Sequence, residues 1–267
     1  MVSILECRIV GPRRQILNRC WSWALLCGAI VAGTAIDAPA APADRDREYG
    51  ECVRLVDKDA GQAFDTANSW AERGGGFAAR HCGALALIRL GLYEQAAQRL
   101  EQLAADMTRG EGDLSADALA QAAQAWSLAR KPERAHKALS EAIKLRPRDV
   151  DLLIDRAIVL ADAKNYWEAI DDLNRAIEIN PRRGDARVLR ASAYRYVDSL
   201  ELAAEDVAAA LVLDPGNPDA LAERGIVRRL TNDPNGARQD WLAVLRAAPD
   251  SPAAEIARDN LAKLDIK

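Results

Sequence analysis

The chain has 267 residues, of which 49% are hydrophobic, 28% are charged and 5% are aromatic, and its formal net charge is −4 at pH 7. A nucleic-acid-binding protein normally shows an excess of basic residues, so this composition argues against that class. The scarcity of aromatic residues favours an alanine-rich helical protein over a sandwich of β-sheets.

Residues 1–43 have the character of a signal peptide that is removed from the mature protein. A basic segment precedes the apolar run at 21–35, and small residues follow, with candidate cleavage signals at 38–40 and 41–43. The run is shorter than the ~20 residues that a membrane-spanning helix needs. We therefore expect a periplasmic or secreted protein that keeps no membrane span. The alternatives are an uncleaved anchor, twin-arginine export through the pair at 13–14, and a start codon further along the chain.

Residues 44–76 are expected to form an atypical helical unit that caps the N-terminal end. Its apolar residues repeat the spacing found in the next unit, near 77–110. The matched pairs are Ala60 with Ala96, Phe64 with Leu100, and Ala67 with Leu103. A glycine run at 74–76 separates the two units, and the glycine-rich stretch at 109–113 predicts a mobile surface loop.

Four prolines at a constant spacing of 34 residues organise the rest of the chain: Pro147, Pro181, Pro215 and Pro249. Two rows of small residues keep the same spacing. The first row is Ala135, Ala169, Ala203 and Ala237, and the second is Ala123, Ala157, Ala191 and Gly225. Small residues let two antiparallel helices approach closely, and a proline ends the second helix of each pair.

This pattern resembles the tetratricopeptide repeat family, whose unit is a helix–turn–helix of about 34 residues. The family's bulky, small, aromatic, alanine, aromatic and proline positions correspond in one unit to Leu119, Ala123, Trp126, Ala135, Leu139 and Pro147. Later units depart at single positions, with Arg187 in place of the bulky residue and Arg228 in place of an aromatic.

The resemblance implies an all-α fold, a right-handed solenoid of about five to six helix pairs. The repeat array would cover residues 77–251, followed by a C-terminal capping helix at 252–267. Its units are expected near 77–110, 116–149, 150–183, 184–217 and 218–251.

The same resemblance implies a non-enzymatic, exported scaffold or adaptor that binds a protein or peptide partner. The first helices of successive units would line a concave groove for this partner. By register, the groove residues are His81, Leu85, Ile88, Gln124, Leu128, Ile154, Ile158, Asp162, Val188, Ser192, Arg195, Tyr196, Ile226, Arg229 and Leu230. The alternative function is a structural component of the cell envelope that self-assembles, by stacking end to end or by dimerising through its terminal helices.

Charged residues in the groove predict what it binds. Arg195 and Arg229 are 34 residues apart and Tyr196 adjoins the first, which predicts a seat for an acidic side chain or a free carboxylate. The alternative is that both arginines pair with acids of the chain itself, such as Asp162 or Asp198.

Three other charged rows share the 34-residue spacing. One carboxylate row would complement the dipoles of the first helices, and the other two rows predict an ion-pair ladder between helices, with a charged binding strip as the alternative. The rows are Asp117, Asp151, Asp185 and Asp219; Arg156, Arg190 and Arg224; and Asp172, Asp206 and Asp240.

No catalytic or metal-ligating constellation is found. The two histidines, His81 and His136, belong to different units and lack metal-ligand spacing. We predict no enzymatic activity, no cofactor and no metal. Two cysteines remain after the signal, Cys52 and Cys82, both expected on first helices of neighbouring units, and we predict a disulfide between them. The alternative is that His81 activates the thiol of Cys82.

Overall fold

The computed structural model describes residues 42–107 and 112–265, and these ranges contain helices and no β-strand. The predicted signal peptide lies outside the described residues except for its last two positions, as does most of the predicted loop. The helices are α1 (Pro42–Lys58), α2 (Ala60–Trp70), α3 (Gly76–Arg89), α4 (Tyr93–Asp106), α5 (Gly112–Leu128), α6 (Pro132–Leu145), α7 (Val150–Asp162), α8 (Tyr166–Ile179), α9 (Gly184–Tyr196), α10 (Leu200–Leu213), α11 (Pro218–Leu230), α12 (Pro234–Ala247) and α13 (Pro252–Asp265).

The helices pack as consecutive pairs. Helices α3–α4, α5–α6, α7–α8, α9–α10 and α11–α12 are the five pairs of the predicted array, and each pair contacts the next. Helices α1 and α2 precede them, and α13 packs against α11 and α12. The predicted solenoid of five to six helix pairs with a final capping helix is confirmed.

The prolines of the 34-residue period end the second helix of each pair. Helices α6, α8, α10 and α12 each stop two residues before one of these prolines. Proline lacks the backbone N–H that the helix would need, and it disfavours helical geometry in the residue before it. Proline is also the first residue of α6, α11, α12 and α13, where its missing N–H has no helical partner to lose.

The turn inside each helix pair contains a residue in the left-handed conformation, which the sequence pattern did not predict. Its φ is 59° at Arg130, 66° at Lys164, 59° at Asp198 and 65° at Asn232. The next residue donates its backbone N–H to a carbonyl five positions earlier, as from Lys131 to Trp126 at 2.9 Å. This is a Schellman cap, which satisfies carbonyls at the helix end.

Close approach of the two helices depends on the predicted small residues. All members of both alanine rows are buried. In the last pair, a Cβ on Gly225 would overlap the indole of Trp241. That indole is fully buried and donates from Nε1 to the carbonyl of Ala222 at 3.1 Å. Glycine at this position therefore makes room for tryptophan in the opposite helix.

Helix α5 begins earlier than the sequence indicated. The predicted loop reached residue 113, yet α5 starts at Gly112. The extra turn packs against α4, where the buried Ser115 donates from Oγ to the carbonyl of Ala104 at 3.1 Å. Consequently Asp117 lies in the second turn of α5, unlike Asp151, Asp185 and Asp219, which lie in first turns.

A disulfide joins the N-terminal unit to the array. Cys52 of α1 and Cys82 of α3 are bonded, with their Cα atoms 6.3 Å apart. Both side chains are buried, and α1 packs alongside α3. A short π-helical turn at Ala71–Gly75 connects α2 to α3, and its Gly74 has a φ of 89° that favours glycine.

Candidate functional site

The predicted groove residues lie on α3, α5, α7, α9 and α11, whose common side we call the first-helix face. Neighbouring first helices touch, since α7 contacts α9 and α9 contacts α11. Most of the predicted residues keep at least part of their surface exposed. The half-buried members are His81, Leu85, Ile88, Gln124, Leu128, Val188, Ser192, Arg195 and Ile226, and the exposed ones are Asp162, Tyr196, Arg229 and Leu230.

Two of the predicted groove residues belong to the hydrophobic core. Ile154 is 0% exposed and Ile158 is 7% exposed. Both join the cluster of buried residues that holds α7 to its neighbours. Residues in these positions stabilise the stack and have no surface to offer a partner.

Arg195 is already occupied by a carboxylate of the chain. Its Nε donates to Oε1 of Glu223 at 2.6 Å, and its Nη2 donates to Ser192 Oγ at 3.0 Å. Burial lowers the pKa of Arg195, but the carboxylate of Glu223 more than offsets it, and the pKa is raised. The alternative that the arginine pairs with an internal acid is therefore correct for Arg195, although the acid is Glu223 of α11 and not Asp162 or Asp198.

Arg229 differs from Arg195 although the two occupy equivalent positions. Arg229 is exposed, and within the described residues it forms no ion pair. The residue equivalent to Glu223 in the following unit is Ala257, which is buried and carries no charge. The predicted seat with two free guanidinium groups is therefore wrong, since only Arg229 is available to an external carboxylate.

Tyr196 stands at the end of α9 with an aromatic neighbour that the sequence pattern did not reveal. Its ring stacks on that of Tyr166, the first residue of α8, with centroids 4.6 Å apart and planes 2° apart. The guanidinium carbon of Arg195 lies 4.4 Å from the centroid of the Tyr196 ring. Burial, and secondarily the neighbouring Tyr196, raise the pKa of Tyr166. The spacing of 30 residues between the tyrosines offered no clear sequence signal.

The charged rows have a structural role. Arg156, Arg190 and Arg224 each donate from Nε and Nη2 to the aspartate 16 residues later, at distances of 2.6–3.0 Å. These aspartates lie on the second helix of the same pair and are buried. The predicted ladder is confirmed, and its carboxylates are not accessible as a binding strip.

The row of aspartates near the starts of the first helices is also paired. Arg183 bridges two units, donating to Asp151 at 2.8 Å and to Asp185 at 2.7 Å. The hydrogen bonds to Asp185, and then to Asp151, raise the pKa of Arg183. Arg146 donates to Asp117 at 2.6 Å in the same manner.

His81 takes part in a chain of hydrogen bonds beside the disulfide. With the proton of the neutral ring on Nε2, the hydroxyl of Tyr49 donates to Nδ1 at 2.7 Å and Nε2 donates to Gln121 Oε1 at 2.7 Å. Burial lowers the pKa of His81, while Gln121 and Asp117 act in the opposite direction. The disulfide leaves Cys82 without a free thiol for His81 to activate.

Neither a metal site nor a membrane helix is found in the described part of the chain. No three His, Cys, Asp or Glu side chains there are grouped so that they could hold a metal ion. None of the described helices combines the length and apolar character that a membrane crossing requires.

Known proteins supply the comparison for this geometry. Models of the tetratricopeptide repeat match residues 124–193 and 188–252. A search of curated protein sequences gives no match.

Solved structures match over most of the chain. PilF of Pseudomonas aeruginosa has a TM-score of 0.60 at 15% identity, over 82% of this chain and 99% of its own. Residues 41 to the end of MamA from Desulfovibrio magneticus RS-1 give 0.54 at 22% identity, over 63% of this chain and 93% of their own. YrrB, described as having an unusual peptide-binding site, gives 0.52 at 19% identity, over 72% and 96%. With the 34-residue period and the helix pairs, these matches show that the chain is a tetratricopeptide repeat protein.

Proposed function

We propose that this protein is a non-enzymatic, exported scaffold that binds an extended segment of a partner protein along its first-helix face. The observation that carries the proposal is the exposed set Tyr196, Arg229 and Leu230 at the same end of two neighbouring helices. Tyr196 is 48% exposed and Leu230 is 45% exposed. Tyrosine and arginine are over-represented among residues that dominate binding energies.

The chemistry of this set favours a segment with one acidic group and adjacent apolar side chains. Arg229 can hold a carboxylate through two parallel hydrogen bonds, and no described carboxylate competes for it. The ring of Tyr196 is fixed by Tyr166 and Arg195, so little conformational entropy is lost when a ligand packs on it. The peptide-binding site of YrrB, a protein of the same fold, is consistent with such a role.

Export is a separate part of the proposal. Its support is the character of residues 1–43 and the Cys52–Cys82 disulfide, because disulfides persist in the periplasm and outside the cell and are rare in the cytosol. Mass spectrometry of the purified native protein tests it. We expect an N-terminus near residue 41 or 44 in the envelope fraction, and a full-length chain in the cytosol would contradict export.

Partner binding is tested by comparative pull-down from an envelope extract with the wild type and Arg229→Ala. We expect a partner that the wild type retains and the variant loses, with at least about a tenfold weaker affinity once the partner is purified. The matched control is Lys137→Ala, which removes one exposed positive charge from α6, on the other side of the stack. Equal recovery by wild type and Arg229→Ala would contradict the proposed site.

A further inference from the structure

The exposed side of the second helices changes character near the C-terminal end. On α10, an exposed stripe at helical spacing is formed by Glu201, Glu205, Ala208 and Val212. The positions of Ala208 and Val212 are held by Asn174 and Glu178 in α8, two polar side chains that are also exposed. Helix α10 therefore presents an apolar surface where its predecessor presents a solvated one.

The apolar surface continues onto the next second helix. Val212 is 82% exposed, and Leu242, at the position of Ala208 on α12, is 40% exposed. Scattered exposed apolar residues are ordinary in soluble proteins, but a contiguous patch marks an interaction surface. These residues lie at equivalent positions of consecutive pairs, so they share one side of the stack. We call this side the α10–α12 face.

The charges on the α10–α12 face are complementary to one another. The exposed stripe of α10 carries only acids, Glu201 and Glu205, whereas that of α12 carries Arg246. None of these three side chains forms an ion pair with a residue that the structure describes. A surface with an acidic half and a basic half, separated by apolar residues, can be complementary to its own copy.

We propose that the α10–α12 face is the contact between two copies of this chain, related by a two-fold axis that passes between α10 and α12. Such an axis lays α10 of each copy antiparallel to α12 of the other. Ala208 and Val212 then pack near Leu242 of the second copy, and Glu205 approaches Arg246 of the second copy. Each contact occurs twice because a two-fold interface uses the same patch on both subunits.

The size of the face sets the strength of the dimer. Both helices have 14 residues, which gives a length of about 21 Å and, at a width of ~10 Å each, a face of about 400 Å². A standard interface removes about 800 Å² per partner from solvent. We therefore expect a reversible dimer with a dissociation constant in the micromolar range. This goes beyond the proposed function, because it concerns the opposite side of the stack and leaves the first-helix face open.

Sedimentation equilibrium of the full chain at increasing concentration tests the proposal. We expect a monomer–dimer equilibrium whose dissociation constant rises by at least about tenfold in Ala208→Glu. The matched control is Asn174→Glu, which places the same charge at the equivalent position of α8 and should leave the equilibrium unchanged. Circular dichroism of each variant establishes that the fold is retained, as expected for substitutions at exposed positions.

A charge exchange tests the geometry. Glu205→Arg and Arg246→Glu should each weaken the dimer, and the double variant should restore it, because the pair is then re-formed with reversed polarity. A chain that stays monomeric at millimolar concentration overturns the proposal. A dimer that Ala208→Glu does not weaken, or that the double variant does not restore, also overturns it.

Discussion

The two ends of the solenoid hold their helices together by different chemistry. At the N-terminal end, α1 is joined to α3 by the Cys52–Cys82 disulfide. In the three pairs from α7 to α12, each first helix is joined to its second by a buried arginine–aspartate pair such as Arg156 with Asp172. The pair α5–α6 has neither, since the equivalent residues are the buried alanines Ala122 and Ala138.

This difference separates what the repeat requires from what individual units add. Every pair of the array keeps the small residues and a left-handed turn residue between its helices. The α5–α6 pair shows that close alanine packing can replace the ion pair at the same positions. An ion pair that replaces apolar contacts contributes little net stability, because the cost of removing both charges from water offsets their attraction. Loss of only one partner, however, leaves an uncompensated buried charge.

Reduction of the disulfide is expected to have the largest effect. The bond closes a loop between residues 30 positions apart, and its loss should lower the free energy of unfolding by about 3–4 kcal/mol. Thermal unfolding with and without a thiol reductant measures this change. The matched control is the Cys52→Ala, Cys82→Ala double variant, whose stability should not respond to the reductant. Two titratable thiols in the native, unreduced protein would contradict the bond.

Removal of one partner of an ion pair is expected to have the next largest effect. Asp172→Ala leaves the nearly buried guanidinium of Arg156 without its bidentate acceptor, and we expect a loss of about 2–3 kcal/mol in the free energy of unfolding. The Arg156→Ala, Asp172→Ala double variant reproduces the α5–α6 arrangement and should recover part of this loss. Urea unfolding of the three proteins measures the difference. A double variant that is less stable than Asp172→Ala would show that the pair itself stabilises the fold.

Protonation of His81 is expected to have the smallest effect, because Gln121 partly compensates for burial. The pKa of His81 is lowered in the folded protein, so the unfolded chain binds more protons below its ordinary pKa of about 6.5. Stability contributed by the neutral ring is therefore complete above that pH and is lost as the pH falls below it. Unfolding at pH 7.5 and 5.5 should show a smaller decrease for His81→Gln than for the wild type. His136→Gln is the control, and an equal decrease in all three proteins would contradict the prediction.

Features that repeat from unit to unit could be predicted from the sequence, and features that occur once could not. Pro147 and its equivalents located the ends of four helices, and Arg156 with Asp172 was recognised as part of a ladder because three units show the same pair. Glu223 escaped notice because no other unit has an acid at that position. The same absence of repetition concealed the partnership of Tyr166 with Tyr196.

The sequence by itself determined the helix pairs, because proline positions and apolar periodicity act within one 34-residue unit. It also determined which small residues are buried, since equivalent positions in similar units have similar surroundings. Only the tertiary structure showed that Arg195 is bound by Glu223 whereas Arg229 is free. The reason is that each pair joins neighbouring first helices, and its formation depends on a single side chain in the following unit. In a solenoid, local pattern specifies the backbone, and contacts between units decide which side chains remain open to a partner.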